Sequence, residues 1–191
     1  MIHHQINAIP TRSRTARGQD LPRNCRAGCL APETANHVSM GCVRTHPNRI
    51  KRHDRDRDIT AKWLDDDGYR VIKEPSFTTL TPGTTRAMGR WRPDILAIKG
   101  KDGVIFDVQV RAEGYDLDRL HDEKVEKYRI APGLIETIKS IHELETIKCE
   151  AITLARGGQV SPKCYKVLGV YFNPHQLGFL SRVVLYEDVT V

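Results

Sequence analysis

Apolar residues are sparse in the first quarter of the chain and then fall into alternating helical and strand periods. Between Pro47 and Asp67, Ile50, Ala61 and Leu64 form a helical stripe supplemented by Trp63. Pro47 suits the first turn of that helix, and Gly68 stops it. Residues 69–77 (Tyr-Arg-Val-Ile-Lys-Glu-Pro-Ser-Phe) read as a strand whose end Pro75 places at a sheet edge. The Thr/Gly/Pro/Arg stretch 78–90 reads as a loop. Two β-branched runs, 91–98 and 104–110, flank Lys99-Gly100-Lys101-Asp102-Gly103 and predict a hairpin. Asp116 caps a helix over 117–130, and Pro132 opens another over 132–145. A strand follows at about 149–155. Short helices near 163–170 and 174–181 precede a final strand over 182–186.

Two positions break the apolar pattern of the hairpin. Asp94 interrupts the first strand and Asp107 the second. Pairing residue 98 with 104 sets 94 roughly opposite 108, so both carboxylates lie at one end of the hairpin. A carboxylate inside an apolar strand is costly without a cation beside it. Two side by side repel each other, and a divalent metal is their natural counter-ion. That is the layout of a metal-dependent phosphodiesterase. The plainer alternative is a Pro-Asp turn and a structural ion pair at Asp107. On the next helix, Leu117, Leu120, Lys124 and Tyr128 share one face, so Lys124 is a cation on an otherwise apolar stripe. Helix, strand, acidic hairpin, helix and strand in this order make an α/β core of the restriction-endonuclease kind, a mixed sheet flanked by helices.

Charge divides the chain. Residues 1–57 hold 11 Lys/Arg against 4 Asp/Glu, whereas 58–191 hold 19 against 20, so the net charge of +6 comes from the first part. A basic arm ahead of a near-neutral domain suits nucleic acid, with a solubilising tail as the alternative. Residues 1–24, with Arg12, Arg14 and Arg17, read as that arm or a linker. Nothing in them begins a fold, and the chain is expected to be a C-terminal piece of something longer. No apolar run approaches the ~18 residues of a membrane span and no secretory signal core is present, so an intracellular location without membrane contact is expected.

Five cysteines and no secretory signal argue against a disulfide framework. Within 25–46, Cys25, Cys29, His37 and Cys42 form a C-x3-C-x7-H-x4-C array, and His46 lies four residues beyond. Thiolates and imidazole at this density suit tetrahedral Zn²⁺. Cys42 is preferred over His46 as the fourth ligand. Cys149 and Cys164 read as ordinary core thiols. The charged run Arg52-His53-Asp54-Arg55-Asp56-Arg57 reads mostly as a solvated, ion-paired helix face.

Several of these runs together resemble the C-terminal region of polyproteins from site-specific non-LTR retrotransposons that insert into ribosomal RNA genes. They are Cys25-Arg26-Ala27-Gly28-Cys29, Glu33-Thr34, Asn36-His37, Cys42, Arg44-Thr45-His46 and Arg52-His53-Asp54. Arg92-Pro93-Asp94, Asp107-Val108-Gln109-Val110, the run 117–128, Thr153-Leu154 and Ser161-Pro162-Lys163 extend the likeness over nearly the whole chain.

The resemblance implies three parts: the basic arm 1–24, a zinc knuckle at 25–46 and a restriction-like endonuclease domain at 47–191. An upstream reverse transcriptase, an RNA-directed DNA polymerase, would precede them and is absent from this sequence. Asp94 and Asp107 would hold Mg²⁺. The lysine that often lies two residues after the second acid in this nuclease superfamily is replaced by Gln109. The resemblance points to Lys124, with Lys127 as its competitor. The expected activity is a nick in target DNA, ribosomal DNA by the resemblance. Its 3′-hydroxyl would prime reverse transcription of element RNA, with the nucleus as the site of action. Arg12, Arg14, Arg17, Arg52 and His53 would grip nucleic acid. The competing expectations are a catalytically silent nucleic-acid-binding module and a free-standing resolvase or restriction enzyme.

Overall fold

The computed structural model describes residues 10–80 and 87–186. In chain order these form α1 (Arg12–Thr15), a π-helical turn (His37–Gly41), α2 (His46–Asp66), β1 (Arg70–Lys73), β2 (Phe77–Leu80), β3 (Ala87–Trp91), β4 (Ile95–Lys99) and β5 (Asp102–Arg111). Then follow α3 (Leu117–Arg129), α4 (Leu134–His142), β6 (Thr146–Ala155), α5 (Pro162–Leu168) and α6 (Pro174–Tyr186).

A four-stranded sheet in the order β1-β4-β5-β6 forms the centre. Its first three strands are antiparallel, and β6 runs parallel to β5, so the sheet is mixed. Helices cover both faces, which is why β4 and β5 are apolar at successive positions rather than alternate ones. Ile95, Ala97, Val104, Phe106 and Val108 face Leu64 of α2, Leu168 of α5 and Leu177, Leu180 and Val184 of α6. Leu96, Ile98 and Ile105 face the opposite way, onto Tyr128 of α3 and Leu134 and Ile138 of α4. The expected α/β architecture with a mixed sheet between helices is present. No helix among the described residues is long and apolar enough to cross a membrane.

Several elements differ from the sequence reading, each for a local reason. The strand expected over 69–77 is two strands, because the chain turns at Glu74 (φ 47°) and Pro75. The expected loop 78–90 is largely the β2–β3 hairpin, in which Phe77 pairs with Trp91 and Thr78 with Arg90; residues 81–86 lie outside the described residues. The acidic hairpin closes with a two-residue turn, Lys99 pairing with Asp102 around Gly100 (φ 63°) and Lys101. A glycine in the first turn position suits such tight connections. Ile98 therefore pairs with Gly103 rather than residue 104, and Ile95 with Phe106, which carries Asp94 opposite Asp107 one step further along.

α4 begins at Leu134 because Gly133 adopts φ 69°. The tail expected as a helix and a strand is one helix, α6. Leu177, Leu180 and Val184 bury one helical face there, a spacing that a strand would split between two sides. Ile50, expected in the α2 stripe, is 48% exposed.

Phe106 is fully buried and packs edge-on against Tyr171 with ring centroids 5.1 Å apart. Phe106→Ala is expected to cost about 3–5 kcal/mol of stability, read as a lowered urea midpoint with an unchanged slope.

Candidate functional site

β5 carries the most expensive group in the sheet. Asp107 is 4% exposed in a strand of buried Val, Ile and Phe residues. Its two oxygens are compensated separately: Lys124 Nζ lies 2.6 Å from Oδ1, and the Tyr128 hydroxyl donates to Oδ2 at 2.5 Å. Both partners come from α3, whose first turn is fixed by Asp116 Oδ1 accepting from the backbone N–H groups of Asp118 and Arg119. Burial, and then the neighbouring Asp107 carboxylate, push the Tyr128 phenol well above its ordinary range. Tyr128 thus stays a neutral donor.

Asp94 sits just before β4, half-buried, across the hairpin. The Val108 N–H (2.7 Å) and His53 Nε2 (3.1 Å) both meet its Oδ2. Burial would raise its pKa, but the bond and charge of His53, then the Val108 N–H and Lys124, hold it below the ordinary value. The reciprocal bond to Asp94 raises His53 to about 9 against the opposing effect of burial. Among the described residues the hydrogen bonds to Asp94 fall on Oδ2, so Oδ1 retains its capacity for a cation.

Asp94 and Asp107 line one cleft of about 420 Å³, together with Lys124, Lys127, Tyr128, Arg49, Arg52, His53, Arg92, Gln109 and Arg111. Two carboxylates on an otherwise cationic wall fit a divalent ion and a polyanionic ligand. Of the competing lysines, Lys124 is the nearer: Lys127 lies 3.8 Å from Asp107 Oδ2 and its ammonium rests 4.4 Å above the Tyr128 ring. Gln109 is buried, and its amide nitrogen donates to the Leu120 carbonyl and to Thr153 Oγ1, both at 2.9 Å. It ties α3 to β6 and so holds the helix that presents Lys124.

The sequence reading underrated three residues here. His53, in a charged run, reads as a surface or satisfied histidine with at most a grip on nucleic acid, yet it bonds Asp94 from forty-one positions away. Tyr128 read as part of an apolar face, and its hydroxyl is what reaches Asp107. Arg49 carried no signal, being one more arginine in a basic stretch.

The cysteine cluster stands beside this cleft. One ligand atom from each of Cys25, Cys29, His37 and Cys42 lies within 4.8 Å of the others. The sulfurs of Cys25 and Cys42 are 3.6 Å apart, and those of Cys29 and Cys42 3.9 Å. His37 and Cys42 are joined by the wide turn itself, the Cys42 N–H bonding the His37 carbonyl at 2.8 Å. His37 Nε2 is buried without a hydrogen-bond partner among the described residues, as suits a nitrogen kept for a metal. Burial raises Cys42, but the Arg44 N–H and the adjacent thiols outweigh it and lower this thiol. The four residues can therefore bind zinc. His46 stands apart from them, its Nδ1 3.1 Å from Arg49 Nη2.

Glu33 organises the segment around this cluster, accepting from the backbone N–H of Arg12 (3.0 Å) and of Arg26 (2.9 Å). Part of the expected arm is accordingly folded: α1 docks on Glu33, and Arg12 Nη1 bonds the Asn24 carbonyl. Arg14 and Arg17 are exposed there, away from the carboxylate cleft, whereas Arg52 is buried and meets Met40 Sδ at 3.5 Å. The structure thus gathers Arg52 and His53 into the cleft and leaves Arg12, Arg14 and Arg17 outside it.

No family model matches the chain. It is 35% identical over 169 residues to a "Retrovirus-related Pol polyprotein from type-1 retrotransposable element R2" of Nasonia vitripennis, covering 87% of this chain and 16% of that protein. It is 38% identical over 128 residues to the polyprotein from type-2 retrotransposable element R2DM of Drosophila melanogaster, covering 66% of this chain and 11% of that one. With the type-1 R2 polyprotein of Bradysia coprophila it shares 35% identity over 193 aligned positions, 99% of this chain and 20% of the relative. The chain spans a fifth or less of the length of these three curated relatives. Over most of its length it is homologous to part of the Pol polyproteins of R2 retrotransposable elements.

Proposed function

We propose that the chain is the metal-dependent DNA endonuclease part of a non-LTR retrotransposon polyprotein, with a restriction-like nuclease fold and a zinc knuckle beside it. The observation that carries this reading is the convergence of Asp94, Asp107 and Lys124 in one cation-rimmed cleft. The similarity to R2 Pol polyproteins supports the retrotransposon setting.

In this reading Asp94 and Asp107 hold Mg²⁺. A divalent ion bound there would neutralise phosphate charge and activate a water. Lys124 and the Tyr128 hydroxyl each hold one oxygen of Asp107 and so fix its orientation in the cleft. Lys124, whose stem lets its ammonium reach from Asp107 to a phosphate in the cleft, offsets the negative charge that develops during attack. Water adds to phosphorus and the P–O3′ bond breaks. The 3′ oxygen takes a proton, and the 5′ side keeps the phosphate. A 3′-hydroxyl produced in ribosomal DNA would serve as the primer for copying element RNA by an upstream reverse transcriptase domain, within the nucleus. Arg49, Arg52, Arg92 and Lys127 would hold the backbone, and Arg12, Arg14 and Arg17 would extend the contact on the knuckle side. Such phosphate contacts give salt-sensitive binding.

The test is Mg²⁺-dependent nicking of supercoiled plasmid carrying a ribosomal gene segment. Asp94→Asn and Asp107→Asn are each expected to lower the rate by about 10³-fold or more. Lys124→Met is expected to lower it by about 10²-fold, with Lys127→Met less affected. Background nicking only, equal in the native chain and Asp94→Asn with DNA and zinc binding intact, would leave a silent binding module or a nuclease that needs the rest of its polyprotein. For the knuckle, Zn²⁺ is the proposed ion, held by Cys25, Cys29, His37 and Cys42. Purified protein should carry stoichiometric zinc, and Cys42→Ser should lose it while His46→Gln keeps it. Zinc retained by Cys42→Ser and lost from His46→Gln would reverse the ligand assignment.

A further inference from the structure

A second cleft, of about 500 Å³, lies between the knuckle and the end of β5. It shares Met40 and Arg111 with the carboxylate cleft, so the two are neighbours. One wall is the knuckle, presenting Asn36, His37 and Met40. The other is the turn between β5 and α3, which presents Tyr115. None of the described residues lining this second cleft is acidic. Tyr115 is 63% exposed, an aromatic ring left against solvent at the wall of an acid-free notch whose junction with the carboxylate site is a guanidinium.

We infer that this cleft receives an unpaired nucleotide of the DNA strand whose backbone crosses Asp94 and Asp107, with its base stacked on Tyr115. The inference rests on the nuclease reading of the carboxylate cleft and assigns the neighbouring notch a ligand. Bases in an intact duplex already stack on one another, so an exposed ring gains stacking only from a nucleotide that has left the helix. Arg111 stands at the boundary of the two clefts, where the phosphate joining such a nucleotide to the scissile one would pass. Asn36 offers an amide able to donate to or accept from a base edge. The absence of lining carboxylates removes the repulsion that would expel a polyanion.

The experiment is fluorescence anisotropy of the full chain, without Mg²⁺, on a fully paired duplex and on the same duplex carrying a short unpaired bulge. The native chain is expected to prefer the bulged DNA. Tyr115→Ala is expected to weaken binding to bulged DNA by about five- to a hundred-fold and to leave the paired duplex nearly unchanged, while Tyr115→Phe keeps the preference. Tyr115 is largely exposed, and an unchanged thermal midpoint in Tyr115→Ala confirms that its fold is intact. Absence of a bulge preference in the native chain, or its persistence in Tyr115→Ala, would overturn the inference. Plasmid nicking with Mg²⁺ is scored separately. A Tyr115-dependent preference without nicking would keep the subsite and remove the nuclease reading. Nicking without the preference would do the reverse.

Discussion

Asp107 is the group around which the site is arranged. A carboxylate in the middle of a buried strand is tolerable only if each oxygen has a strong partner, because an uncompensated buried charge costs several kcal/mol. Lys124 and Tyr128 supply those partners from one helix, four residues apart, so α3 has one rotation and height at which both reach. The Asp116 cap fixes where α3 starts, and Gln109 bonds its Leu120 carbonyl from the strand below. Folding the sheet therefore assembles the candidate chemistry. The same compensation means that any metal at Asp107 shares that carboxylate with a lysine already in place.

The cysteine cluster is joined to this centre through α2. Arg49 donates to the Cys42 carbonyl at 2.7 Å and also lines the carboxylate cleft. One turn further along, His53 bonds Asp94. Met40, in the π-helical turn between His37 and Cys42, contributes to both clefts. A wide turn of this kind often marks a functional position. A single helix thus carries contacts to the cysteine cluster at its start and to a carboxylate of the cleft one turn later.

Much of this was legible in the chain. Acids inside apolar runs stand out because their burial needs an explanation, so Asp94 and Asp107 could be paired from the hairpin alone. Lys124 stood out likewise, as a cation among Leu117, Leu120 and Tyr128. The Cys/His spacing marked a cluster, and the structure gathers Cys42 rather than His46 into it. Other features lacked a local signal. His53 is one charged residue among six, and only the crossing of α2 over β4 makes it a partner of Asp94. The hairpin register turned on whether Gly100 or a longer loop made the bend, a difference of one residue that periodicity alone does not resolve. The α6 tail reads equally as strand or helix, since Val183-Val184-Leu185 is apolar with two β-branched residues, and contact with the sheet decides for the helix.

The most direct test of the account is anomalous diffraction from crystals of the chain with a short DNA duplex and Mn²⁺. The account predicts a manganese peak within coordination distance of both Asp94 and Asp107, with Lys124 Nζ beside a phosphate. A cleft in which Asp107 keeps only Lys124 and Tyr128 while the metal lies elsewhere would contradict it.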